Sequence, residues 1–256
     1  MIKWMIIVTV FLSLVYAGES VERRNALEKA IDLLYQEIDA GNELEKPIFQ
    51  LSVVGYFNMK RNKLLQDDSI ITIIDYKKAS NERRFFVINL IEKKVLFLTF
   101  VAHGKGSGVQ FAELFSNNPG SLKSSMGFFI TEDSYYGRHG YSLKLRGVEP
   151  GVNDKAMQRA IVIHGANYVS EAFVKMYGRL GRSWGCPALP EDINRQVIDE
   201  IKGGSCLFVY SDDQNYLKKS TFLNRETAAQ YFLEIKAESS VRDSSNLIED
   251  GAPYAQ

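Results

Sequence analysis

Apolar positions recur first at helical spacing and then in short extended runs, and this change of period sets the expected architecture. Over 21–40, Leu27, Ile31, Leu34 and Ile38 fall on one stripe and Gly41 stops the run, which predicts a helix docked on a larger body. Pro47 opens a second predicted helix over 47–62, with Phe49, Val53 and Phe57 on its core side. From Ser69 the runs turn β-branched and aromatic. Strands are predicted over 70–76, 85–91, 95–101, 127–132, 141–145, 160–164 and 207–210, and Glu92-Lys93-Lys94 suits a hairpin turn. Over 190–202, Ile193, Val197, Ile198 and Ile201 share one face, with Pro190 at the start and Gly203-Gly204 past the end, and a helix is expected. A last helix is predicted over 224–237, followed by a serine-rich, aperiodic tail whose composition points to disorder. The pattern predicts a mainly β fold with α elements (α+β), a β-sandwich with flanking helices.

The N-terminus changes the picture. Lys3, an apolar run over 4–16 and the small residues of Val15-Tyr16-Ala17 have the layout of a signal peptide cleaved after Ala17. An exported protein of the periplasm or cell wall is expected. No stable membrane span should remain after cleavage, because the run is short and turns polar at Gly18-Glu19-Ser20. The 256 residues, 45% hydrophobic and 24% charged, suit one globular domain with appendages. Lys+Arg and Asp+Glu both total 31, so the chain lacks the basic field that nucleic-acid binding needs.

Cysteine and histidine usage narrows the chemistry. With three histidines, two cysteines and no Cys-x-x-Cys or His-x-x-x-His spacing, neither a metal nor another cofactor is indicated. Cys206, in Ser205-Cys206-Leu207-Phe208-Val209-Tyr210, has the setting of core filler in a buried strand, not of a disulfide partner for Cys186. His164 ends the apolar run Ile161-Val162-Ile163, and Cys186 lies in Gly181-Arg182-Ser183-Trp184-Gly185-Cys186-Pro187 ahead of a helix. A thiol and an imidazole so placed supply a nucleophile and its base. Taken singly, each has a bland reading: a small buried hydrophobe, and a strand-end histidine satisfying a local hydrogen bond. Gly165 and Gly185 leave backbone N–H groups open and Arg179 and Arg182 favour a thiolate, which weighs toward chemistry. The loop His103-Gly104-Lys105-Gly106-Ser107-Gly108 lacks the order of a phosphate cradle. The stretch 125–141, carrying Tyr135, Tyr136 and His139, is either a flap or a hairpin with its aromatics on the sheet, and His139 is not expected to be catalytic.

His164-Gly165-Ala166 and Ser183-Trp184-Gly185-Cys186 resemble the L,D-transpeptidase signature, in which a His-Gly precedes a Ser/Thr-x-Gly-Cys. The chain is similar in particular to the murein L,D-transpeptidase catalytic-domain family. The similarity runs from about Ser52 to Tyr210 through Ile70–Asp75, the 101–108 loop, Ser125-Met126-Gly127-Phe128-Phe129 and the block 178–190. The resemblance implies an acyl transferase acting on peptidoglycan stem peptides, with Cys186 as nucleophile carrying a thioester and His164 as base. It places the oxyanion at the N–H groups of Gly185 and Cys186, with Ser183, Trp184 and Gly165 shaping the wall. Trp184 and Ala188 stand where the wider superfamily has histidine and arginine, so Arg182 or Arg179 is expected to meet the substrate carboxylate. His103 and Ser107 are expected to line the acyl-donor cleft. An amine resolves the thioester in a transpeptidase and water in an L,D-carboxypeptidase; a catalytically inactive peptidoglycan-binding protein is the alternative from another class. The chain is thus expected to divide into a signal peptide (1–17), a helical segment (18–46), the catalytic domain that the resemblance implies (47–211) and a C-terminal helix with its tail (212–256). Nothing in the sequence sets the oligomeric state.

Overall fold

A computed structural model describes residues 2–38 and 43–249, with side chains described over 18–38 and 43–241. The strands β1 (Ile70–Asp75), β2 (Phe85–Asn89), β3 (Lys94–Thr99), β4 (Gly127–Gly137), β5 (Gly140–Gly147), β6 (Val162–Gly165), β7 (Ala188–Leu189) and β8 (Cys206–Tyr210) form one mixed sheet. Its order is β3-β2-β1-β8-β4-β5-β6-β7. The expected class, mainly β with α, is what the structure has. The strands are one continuous sheet, curled nearly into a barrel: beyond β3 the chain bridges to β7, with Ala102 N–H donating to Ala188 O at 2.8 Å and Ala188 N–H to Ala102 O at 3.3 Å.

Neither face of the central strands meets water, so alternate residues feed two different cores. β1, paired antiparallel to β2 and parallel to β8, is buried along its whole length. Ile71, Ile73, Phe86, Ile88, Phe128 and Phe208 face α1 (Ile2–Glu37), α2 (Lys46–Arg61) and α6 (Arg225–Glu249). Ile70, Ile74, Phe85, Val87, Phe129 and Val209 face the other way, onto Leu143, Leu145 and Ile163 of β5 and β6 and onto α4 (Glu191–Ile201). Leu27, Ile31 and Ile38 of the first predicted stripe are all buried in the outer core. Gly55 lets α2 close on the sheet: a Cβ there would lie 1.9 Å from the Phe128 ring.

The predicted helices and strands are present, α1 beginning well ahead of its expected start at 21 and β4 running on to Gly137 past its expected end at 132; the short elements β7, α3 (Glu171–Tyr177), α5 (Gln214–Lys219) and the 3-10 turn Thr221–Leu223 had no signal. The stretch weighed as flap or hairpin is the β4–β5 hairpin, with Tyr136 and Tyr141 packed at 5.2 Å between ring centroids. α6 continues to Glu249, past the expected end at Ala237, because Ser239 and Ser240 return their hydroxyls to Lys236 O and Ala237 O and stay satisfied within the helix. Met1, the side chains of the signal peptide expected over 1–17, the predicted stop at Gly41 and the tail over 250–256 lie outside the described residues. Among the described residues no helix is long and apolar enough to cross a membrane.

Candidate active site

Cys186 sits on a turn held from two sides. Ser183 N–H donates to His103 O at 3.0 Å, and Lys105 N–H donates to Ser183 O at 2.8 Å, so the turn is zipped to the loop after β3. Within the turn, Ser183 Oγ accepts from Gly185 N–H at 3.1 Å and donates to Cys186 O at 2.6 Å. Gly185 has φ +129°, in glycine territory, and Gly104 lies so near that its own Cβ would stand 2.8 Å from Gly185 Cα. The Gly185 N–H expected at the oxyanion is thus given to Ser183, and the Cys186 N–H, without an acceptor among the described residues, is a donor this turn leaves open.

The thiol rests on the segment entering β6. Sγ receives the Val162 N–H at 3.5 Å and lies 3.6 Å from Ala160 O. His164, two residues along, pairs with Ala188 across β6–β7 and donates its N–H to Pro187 O at 3.4 Å. Its ring Nδ1 is 2.9 Å from Gly165 O. A carbonyl oxygen only accepts, so Nδ1 carries the proton and Nε2 keeps its lone pair, as a general base requires. No hydrogen bond joins the imidazole to Sγ in this resting geometry, a usual state for a catalytic pair without substrate.

Burial raises the Cys186 thiol above its ordinary range, opposed by the Val162 N–H and by the charge of Arg159. Burial also lowers His164, opposed by its bond to Gly165 and reinforced by His139. Both shifts disfavour the charged forms, so at neutral pH the pair is a thiol beside a neutral imidazole, not a standing ion pair. Cys206 is fully buried, its Sγ 3.5 Å from Met59 Sδ, and burial pushes its thiol far up, so Cys186 is the thiol that a reactant can reach.

The other expected residues divide. Trp184 is 70% exposed, with Lys105 Nζ 5.3 Å over its ring. Gly165 supplies the carbonyl that orients His164 and packs within 3.2 Å of Asn194 Cβ, measured from where its own Cβ would be. Arg182 and Arg179 are spent on backbone carbonyls, Gly108 O at 2.9 Å and Leu180 O at 2.7 Å. His103 and Ser107, expected as cleft contacts, are corrected by the structure: both are fully buried. His103 Nδ1 accepts from Arg84 at 2.9 Å and its Nε2–H points to Gly108 O at 3.4 Å, while Ser107 Oγ accepts from Ser124 N–H at 2.8 Å. They close a glycine loop whose backbone needs internal partners.

One residue set aside at the sequence level stands at the site, and another gave no sequence signal. His139, at the β4–β5 tip, stacks on His164 with centroids 4.6 Å apart. Arg159, half-buried in the loop before β6, donates to Ser116 O, to Ser125 Oγ and Lys123 O at 2.6 Å each, and to Ser121 Oγ at 3.4 Å. A separate groove of 640 Å³ opens beside Asn167, Pro190 and Ile193 and includes neither Cys186 nor His164. Among the described residues no group of three His, Cys, Asp or Glu side chains could hold a metal.

A family described as the L,D-transpeptidase catalytic domain matches residues 40–210. No curated protein matches the chain. Similar solved structures include an L,D-transpeptidase from Mycobacterium smegmatis, at 14% identity and TM-score 0.34 over 56% of this chain and 59% of that one. Another is an L,D-transpeptidase from Mycobacterium tuberculosis H37Rv, at 10% identity and TM-score 0.36 over 56% and 58%. A third comes from Xylanimonas cellulosilytica, at 14% identity and TM-score 0.31 over 56% and 60%. The match thus spans about three-fifths of the length of these structures.

Proposed function

The chain belongs to the L,D-transpeptidase catalytic-domain family, and on that footing we propose that it is a cysteine acyl transferase acting on peptidoglycan stem peptides, with the thioester formed on Cys186. The observation that carries this reading is the orientation of His164, whose Nδ1–H is committed to Gly165 O and whose Nε2 is left as base on the strand beside the only accessible described thiol.

The steps follow from the groups present. As Sγ attacks the carbonyl of the third stem residue, His164 Nε2 takes the thiol proton, because the resting pair is neutral. Negative charge collects on the carbonyl oxygen, and the Cys186 N–H is free to receive it. The C–N bond to the terminal D-alanine breaks, the leaving amine takes the proton from His164, and the acyl group stays on sulfur. An amine of a second stem then attacks the thioester and returns the proton to Cys186. Trp184 and Lys105 flank the entrance and suit a polar, partly apolar peptide. Export to the periplasm or cell wall fits this substrate and the apolar segment over 4–16.

Full-length protein incubated with tetrapeptide muropeptides, with products followed by mass spectrometry, tests the proposal. Release of D-alanine and dimers joined through third residues are expected. Tripeptide without dimers would assign an L,D-carboxypeptidase instead. Turnover by Cys186→Ala would overturn the mechanism, and binding without turnover by the wild type would favour an inactive wall-binding protein. His164→Asn should lose about 10²–10⁴-fold in rate.

A further inference from the structure

We propose that Arg159 is a positioning residue that acts through Cys186, supplying the uncompensated positive charge that stabilises negative charge on the sulfur as it forms. The proposal rests on Cys186 being the nucleophile. Its first support is adjacency: the residue after Arg159 presents its carbonyl 3.6 Å from Sγ, and Val162, two further on, donates to Sγ at 3.5 Å. Its second is the guanidinium itself, whose Nη2 stands 3.4 Å from where a Cβ of Gly185 would be, against the turn that carries the thiol. Ala160 takes φ +53°, a left-handed conformation uncommon outside glycine, so the chain bends sharply between the arginine and the strand.

The partners of Arg159 matter as much as its position. All four acceptors, Ser116 O, Ser121 Oγ, Lys123 O and Ser125 Oγ, are neutral. They fix the planar fork without cancelling its charge. No carboxylate of the described residues pairs with it, whereas Arg23, Arg83, Arg146, Arg195 and Arg225 each meet one. An anchored, half-buried cation is screened less than a surface one and is felt more strongly by a nearby thiolate. Arg179 and Arg182 do not share the task, being turned to Leu180 O and Gly108 O. Tyr76 and Tyr168 feel the sulfur's charge in their turn, and both are raised to about 12, first by burial, and are therefore neutral. Arg159 is the charge that opposes the effect of burial on the thiol.

Alkylation of the full chain by iodoacetamide from pH 6 to 10, read at the Cys186 peptide by mass spectrometry, gives the ionisation midpoint without any substrate. Arg159→Gln should raise the midpoint by about one unit, a roughly tenfold loss of thiolate at a fixed pH below it. Arg159→Lys, which keeps the charge, should hold it near the wild-type value. Ser121→Asp, which leaves the arginine in place and sets a carboxylate against it, should raise it. An unchanged midpoint in Arg159→Gln, or equal shifts in the Gln and Lys variants, would overturn the proposal; if Arg159→Gln does not fold, an unchanged midpoint in Ser121→Asp does so. Muropeptide turnover by a wild type whose midpoint ignores Arg159 would sink this inference alone. A responsive midpoint without any turnover would uphold it and sink the acyl-transfer reading.

Discussion

His139 lies face to face with His164, their ring centroids 4.6 Å apart and their planes 27° apart. One is exposed at the tip of a hairpin and the other is buried, so the first roofs the second. The His139 ring beside it disfavours charge on His164, which adds to the burial that already lowers it. Activity should therefore rise as pH increases through a midpoint below the ordinary imidazole value of about 6.5 and hold through about pH 8, since the raised thiol does not ionise in that interval. His139→Ala removes both roof and opposing charge, and should move the acid limb of kcat/KM to higher pH by a few tenths of a unit. A limb that stays in place would show that the stack has no electrical consequence.

Gly104 sets the distance between two backbones. A Cβ there would meet Leu122 O at 2.5 Å, Gly185 Cα at 2.8 Å and Gly185 N at 2.9 Å, and none of these atoms belongs to a flexible side chain. Relief can come only by pushing the Cys186 turn away from the loop after β3. Gly104→Ala should cost about 1–3 kcal/mol of stability, together with a larger fractional loss of acylation than of folded protein. Thermal melts and muropeptide turnover measured on the same preparation check this.

Patterning revealed what repeats and concealed what depends on proximity. The helix expected over 190–202 is observed as α4, because Val197, Ile198 and Ile201 announce a buried stripe. The two-sided burial of the sheet is why its strands appear in sequence as unbroken apolar runs. Cys186 and His164 were singled out through their glycine neighbours and the resemblance those neighbours carry, and the structure sets Sγ on the N–H of Val162, two residues before His164. β7 was not, since two residues have no period. Arg159 gave no signal: its importance comes from the backbone of 116–125 folding under it. His103 misled because a polar residue in a glycine-rich run suggests an open loop, and only the buried Arg84, fully enclosed and bonded to Val101 O, turns it inward.

Acid stability should depend on His103. Burial, with the Arg84 charge beside it, lowers its pKa to about 3. The folded chain therefore keeps His103 neutral while the unfolded chain takes up a proton below about 6.5, so stability is fully present above that pH and is lost as pH falls toward 3. The loss approaches about 1.4 kcal/mol per pH unit within this window. His103→Asn keeps an acceptor for Arg84 and a donor for Gly108 without a titrating ring, and should flatten the fall of melting temperature between pH 6.5 and 4. A variant with the wild-type slope would show that other groups govern acid unfolding.

The segment after β8 is tied to the loop between β5 and β6 through one carboxylate. Glu149 is 4% exposed, and its oxygens receive Phe128 N–H at 2.7 Å, Tyr216 O–H at 2.9 Å and the Ser220 hydroxyl. Burial raises its pKa, and these donors oppose the rise. Asn153, four residues on, holds Glu149 N–H and both Met126 O and Phe128 O, so the carboxylate, α5 and the start of β4 form one bonded unit. Ser125, which anchors Arg159, directly precedes that unit. Tyr216→Phe takes one donor from a buried anion and should cost about 1.5–3 kcal/mol at pH 7.5, measured by urea unfolding. Because a group with a raised pKa is neutralised sooner as pH falls, the cost should shrink at pH 4.5, where a protonated Glu149 needs fewer donors. An equal cost at both pH values would mean that Tyr216 contributes packing alone. Slower Cys186 alkylation in the same variant would show that the α5 latch also holds the guanidinium against the thiol.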